Sequence, residues 1–183
     1  MAPTEILKKE HDAVQVMLNI LEKVCDKLEM REKVNAEHLE QILEFFKVFA
    51  DKCHHGKEED LLFPAMEEAG IPKEEGPIGV MLMEHTEGRN CIKGMVEAVA
   101  EYKQNGKSVA SKFIQNARTY VELLTQHIDK ENNVLFEMAD AHLSANKQEE
   151  LLQEFERFER DKIGVGIHEE LHEILNDLKR VYL

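Results

Sequence analysis

Apolar residues recur along this chain at alternating steps of four and three, in runs that stop at a few breaks containing glycine or proline. That spacing lines up side chains on one face of an α-helix. The first run is Leu7, His11, Val14, Leu18, Leu21, Cys25 and Leu28. The second is Leu39, Leu43, Phe46, Ala50, His54, Glu58, Leu61 and Ala65, interrupted by AGIPKEEGP (69–77). Met81, His85, Gly88, Ile92, Met95, Val99 and Tyr102 form the third. After KQNGKS (103–108) the fourth runs Phe113, Ala117, Tyr120, Leu124, His127, Glu131, Val134 and Met138. The pattern predicts four amphipathic helices of about 25–35 residues with short connections, an arrangement that favours antiparallel neighbours. No strand-like alternation occurs. The expected fold is all-α, an up-down-up-down four-helix bundle over residues 1–142.

Beyond Ser144 the stripe thins. Leu151, Phe155 and Phe158 predict a fifth helix, IGVGI (163–167) ends it, and Ile167, Leu171, Ile174, Leu178 and Val181 predict a sixth. Residues 145–183 therefore read as a C-terminal helical extension that packs on the bundle or on a second subunit, in a monomer or a homodimer.

Composition narrows the function classes. A length of 183 residues suffices for one domain with a good core. The net charge of −14 argues against nucleic-acid and anionic-membrane partners, which need basic surface. Cys25, Cys53 and Cys91 are odd in number and far apart, which excludes a disulfide framework and disfavours thiolate metal sites. No run approaches the roughly 20 apolar residues of a membrane span. The N-terminus MAPTEILKKEHD is too charged for a signal peptide, so a cytoplasmic location is expected.

The stripes themselves carry the chemistry. Each of the four has one histidine, His11, His54, His85 and His127, and two add a glutamate one turn on, Glu58 and Glu131. Buried imidazoles and carboxylates are costly unless paired or bound to metal. Four nitrogens and two bridging carboxylates suit two closely spaced metals with open positions left over. The stretch DKCHHGKEEDLLFP leaves a choice of register, because His54/Glu58 and His55/Glu59 share the spacing His-x-x-x-Glu. The fourth helix decides it: HIDKENNVLF and HHGKEEDLLF both read His-x-x-Lys-Glu-x-x-apolar-Leu-Phe. That alignment selects His54 and Glu58 as the inward pair. His55 and Glu59 become flanking residues that hold the ligands in place.

These residues resemble a known family. The lone histidine in KKEHD, together with HHGKEEDLLFP, GPIGVMLMEH and HIDKENNVLF, is similar to the hemerythrin family in its HHE cation-binding branch, over about residues 4–142. The resemblance implies a non-haem di-iron centre, oxo- or hydroxo-bridged, inside a four-helix bundle. It makes His11, His54, His85 and His127 terminal ligands, and Glu58 and Glu131 bridging carboxylates. One departure stands out. Oxygen-carrying members have a His-x-x-x-His pair on the third helix, whereas Met81 and Arg89 flank His85 here, so the stripes supply four histidines. His168 in GIHEELH is the candidate for a fifth, with His172 behind it. His38 and His142 lie off the stripes and read as surface residues, and Cys53 as a packing residue.

A ferritin-like site needs Glu-x-x-His pairs within the bundle. The sole such pair, Glu169/His172, falls outside it. Nitrogen and oxygen donors without thiolate suit iron, with manganese or zinc compatible. The resulting expectation is a metal-binding protein that binds or senses O2 or NO. The alternatives are an oxidative-stress enzyme that consumes peroxide or NO or repairs iron centres, and an iron store or sensor.

Overall fold

Capping residues and glycine turns set the ends of the helices in the computed structural model, which describes residues 1–105 and 110–183. Helix α1, Pro3–Glu29, begins with a proline, whose missing N–H costs nothing in a first turn. The Glu5 carboxylate accepts the Ala2 N–H at 3.1 Å. Helix α2 covers 36–68, and the Asn35 side chain caps it by accepting the Glu37 N–H at 3.0 Å. Helix α3 is Pro77–Asn105 and α4 covers 110–142. KQNGKS stays helical through Asn105, and its last three residues lie outside the described ones. The Ser144 hydroxyl accepts the Lys147 N–H at 3.3 Å to open α5, residues 145–163. Gly164 (φ 110°) and Gly166 (φ 86°) then take left-handed conformations that favour glycine, and α6, Ile167–Tyr182, follows. No strand forms among the described residues.

Helices α2 and α4 are not uniformly α-helical. In α2 the segments Phe46–His55 and Glu58–Leu62 wind as π-helix, and in α4 so does Glu131–Leu135. Phe63 donates its N–H to the Glu58 carbonyl and Phe136 to that of Glu131, each five residues back. Pro64 accounts for part of this: it has no N–H to offer the Asp60 carbonyl, so a regular α-turn is incomplete there. The π turns shift the inward face by one place. Val134, on the predicted stripe, is 51% exposed, while Leu135, Phe136 and Ala139 are buried.

The first four helices close a ring in which α1 borders α2 and α4, and α3 borders the same two. The bundle interior divides into two apolar clusters. The larger holds Leu18, Phe46, Met95 and Tyr120, and the smaller Leu7, Phe63, Met81 and Phe136. Between them, on each of these four helices, lies the polar layer of His11, His54, Glu58, His85, His127 and Glu131, all buried. The extension lies on the bundle. Leu171, Leu175 and Leu178 of α6 join the larger cluster, and Leu151 and Phe155 of α5 join the smaller. Phe155 is 1% exposed, so Phe155→Ala should cost about 3–5 kcal/mol in a denaturant titration. Among the described residues, no helix is long and apolar enough to cross a membrane.

Candidate metal centre

Two sets of side chains converge inside the bundle. His11, His54, Glu58 and Glu131 each offer one donor atom, and these atoms all lie within 4.8 Å of one another. His55, Glu58, His85 and His127 form a second set with the same property. Every member is buried, and Glu58 belongs to both sets. Glu131 also comes within 3.2 Å of His127 Nε2, so each carboxylate faces both sets.

The histidine rings are oriented from behind. His11 donates from Nδ1 to Asn132 Oδ1 at 2.7 Å, and His54 to Glu10 at 2.8 Å. His85 donates to Glu59 at 2.7 Å and His127 to Glu84 at 2.8 Å. His55 turns Nδ1 to Asp51 at 3.3 Å. Such bonds keep a proton on Nδ1, so that Nε2, once it gives up its own proton, presents a lone pair inward, the tautomer that a metal-binding histidine needs.

What the inward atoms meet decides the chemistry. His11 Nε2 and His54 Nε2, and all four carboxylate oxygens of Glu58 and Glu131, are buried with no hydrogen-bond partner. Nε2–carboxylate separations of 3.1–3.3 Å link these groups, but they are spacings of atoms gathered around common points rather than aligned bonds. His85 Nε2 and His127 Nε2 face each other at 3.2 Å. Unpaired buried polar atoms are rare because each loses its water without replacement. Imidazole nitrogens and carboxylate oxygens without thiolate fit a first-row metal such as iron, manganese or zinc.

The family description "Hemerythrin HHE cation binding domain" matches residues 2–139. The chain belongs to the hemerythrin HHE cation-binding family. It is also similar to "Uncharacterized protein Rv1995" of Mycobacterium tuberculosis and to "Uncharacterized protein Mb2018" of Mycobacterium bovis. Each is 22% identical over 160 residues, which is 87% of this chain and 62% of the relative. The chain thus spans about three-fifths of the length of these curated relatives.

Within this hemerythrin-like site an approximate two-fold repeat relates α1 and α2 to α3 and α4. Glu10–His11 matches Glu84–His85, and His54, Lys57 and Glu58 match His127, Lys130 and Glu131. Glu10 and Glu84 each bridge a histidine of the partner pair to a lysine, Lys57 or Lys130. Phe136 stacks on His11 at 5.4 Å and Phe63 on His85 at 6.1 Å between ring centroids. The doublet Glu-His in KKEHD and LMEH was the sequence signal for the two supporting glutamates.

The repeat breaks at three places. His55 stands where the other half has Ile128, and Glu59 where it has Asn132. Lys57 is fully buried, held by Glu10 and Glu159 with the Phe155 ring 5.7 Å away, whereas the Lys130 side chain is 40% exposed.

Two expectations are revised. His55 is not on the flank: it is buried, its ring stacks on His85 at 3.8 Å, and it belongs to the second set. The π winding over Phe46–His55 brings neighbouring residues to the same interior, so the choice between His54 and His55 does not arise. His168 does not reach either set. It packs against Phe49 at 5.0 Å and groups with Glu10 and Glu159, on the outer side of Lys57, and His172 stands beside it. The Glu59 carboxylate lies behind His85, 2.7 Å from its Nδ1. Cys53 is buried and its thiol is pushed up to about 12 by burial, as suits a packing residue.

Without metal, protons must stabilise this layer. Burial alone would lower the His54 pKa, but the Glu58 charge and Glu10 outweigh it and raise it to about 10. His127 rises to about 9 against the same burial effect, through Glu131 and Glu84. Burial raises the Glu58 carboxyl and Glu131 raises it further, yet His54 and His85 bring it down to about 2. His55 is lowered well below 6.5, by burial and then by the charge of His85.

Proposed function

We propose that this chain is a hemerythrin-like non-haem protein that holds two iron ions and binds or senses a small oxidant, O2, NO or H2O2. The observation that carries this reading is the inward convergence of unpartnered imidazole nitrogens and carboxylate oxygens around two points. In it, His11 and His54 would hold one ion and His55, His85 and His127 the other, with Glu58, a member of both sets, and Glu131, which also approaches His127, available to each. Two irons would supply two electrons to a bound small oxidant. The protein's own residues do the rest. Glu10, Glu59, Glu84 and Asn132 fix the ring orientations, and the apolar clusters above and below keep water from the layer.

The purified protein should carry about two irons per chain after anaerobic ferrous loading, one for each set of donors. Addition of O2 or NO should change the optical spectrum reversibly. A protein that stays metal-free after loading would sink the reading. Glu10→Gln and Glu84→Gln should each weaken metal binding about 10–100-fold in chelator competition, because each variant loosens the ring that its carboxylate orients.

A further inference from the structure

A pocket of about 470 Å³ opens from the surface beside the metal layer, and His55 and His85 line it. Its walls are Gly88, Ile92, Val96 and Tyr120, and its charged side chains are Lys47, Asp51, Arg89, Lys93 and Glu97. The buried members, His55, His85, Gly88, Ile92 and Tyr120, mark the inner end, and the exposed Lys47, Arg89, Lys93 and Glu97 mark the rim. A diatomic ligand needs roughly the 30 Å³ that a water molecule occupies in the liquid. The pocket is more than ten times larger and falls within the roughly 300–1,000 Å³ typical of small organic ligands.

Charge pairing indicates what such a ligand carries. Asp51 is engaged by Arg89 at 2.8 Å and Glu97 by Lys112 at 3.2 Å. Arg89 is held in turn by Glu59 at 2.7 Å. Lys47 and Lys93 have no ion-pair partner among the described residues. In a chain of net charge −14, the rim of this pocket thus offers two uncommitted ammonium groups above apolar walls. An anion is favoured there over a cation of the same shape.

We propose that this pocket binds an amphipathic organic anion of medium-chain carboxylate size, its charged end on Lys47 and Lys93 and its apolar body directed inward to His55 and His85. The proposal deepens the metal-centre reading and rests on it for what the inner end of the ligand meets. It names an organic ligand class in addition to the small oxidant, with one molecule bound per chain.

The test uses octanoate as probe and octylammonium as its charge-reversed control, titrated calorimetrically into the iron-loaded full chain, with iron content measured on the same sample. Octanoate should bind one per chain, and octylammonium at least about tenfold more weakly. The double variant Lys47→Glu with Lys93→Glu, both at exposed positions, should lose at least about tenfold in octanoate affinity with iron content unchanged. Val96→Trp, which fills the pocket from a half-buried wall position, should abolish binding by occlusion. Iron-loaded protein that ignores octanoate, binds both probes equally, or binds octanoate undiminished in the lysine double variant would overturn the proposal alone. Octanoate binding that survives in protein unable to take up iron would instead overturn the metal reading and leave the pocket standing.

Discussion

Glu58→Ala should empty both metal positions at once, taking iron content from about two per chain to below about 0.2. The reason is the place of Glu58 in both donor sets, where its two oxygens are buried without a hydrogen-bond partner. On the proposed reading, removing it would take a donor from each ion, together with the negative charge common to the two donor sets. It also strips His54 and His85 of the carboxylate that raises their pKa values against burial, so the metal-free variant should unfold more readily than the metal-free parent. His55→Ala is the contrasting case, since His55 belongs to one set only. Its iron content should fall to about one per chain, with the remaining ion in the His11/His54 position. Equal losses from both variants, read by metal analysis on folded protein, would contradict the assignment of Glu58 as the shared ligand.

Removing the metals should have the second large effect. A ligand that binds only the folded state stabilises it by about 4 kcal/mol when its free concentration is about 1,000 times Kd. For two such sites on a chain of this size, that corresponds to a fall in melting temperature of about 15–30 °C on chelation. The gap should depend on pH in a definite direction. His54 and His127 have folded pKa values of about 10 and about 9, above the ordinary 6.5, so their stabilisation of the metal-free protein is complete below about pH 6.5. It is lost as pH rises through about 9 and about 10. Glu58, lowered from 4.5 to about 2, contributes above pH 4.5 and is lost as pH falls towards 2. The metal-free protein is therefore best supported by these groups between about pH 4.5 and 6.5. Metal must displace the protons on His54 and His127, so its binding weakens in that same window. The difference in melting temperature between loaded and chelated protein should accordingly widen from pH 6 to pH 8.5. A difference that stays constant or narrows would show that metal does not compete with these protons.

Much of this site could be read from one sequence because it rests on helical spacing. Four stripes, each with one histidine and two with a glutamate one turn on, already call for a bundle with a polar layer. The matched runs HHGKEEDLLF and HIDKENNVLF also carry the repeat that the structure displays around Glu58 and Glu131. That reading depends on an α-helical period, and it failed where the period changes. The π turns at Phe46–His55 and Glu131–Leu135 bring His55 inward beside His54 and turn Val134 out to solvent. Pro64 hints at one of the irregular turns, but α4 makes the matching turn with no proline to announce it.

The sequence by itself determined the helices and a polar layer containing six named residues, because each of these follows from local spacing and the cost of burying unpaired polar groups. Only the tertiary structure decided which residues support that layer from outside. Glu10 meets Lys57 and His54 across 44–47 positions of chain, and Arg89 meets Asp51 and Glu59 across 30–38. It also decided that the last two helices lie against the bundle, burying Lys57 under Glu159 and Phe155, and that His168 stops at that outer rim while His55 supplies the fifth imidazole of the layer. The physical reason is that these contacts depend on how helices rotate and stack against one another, and that rotation is set by π turns and side-chain packing rather than by any period written along the chain.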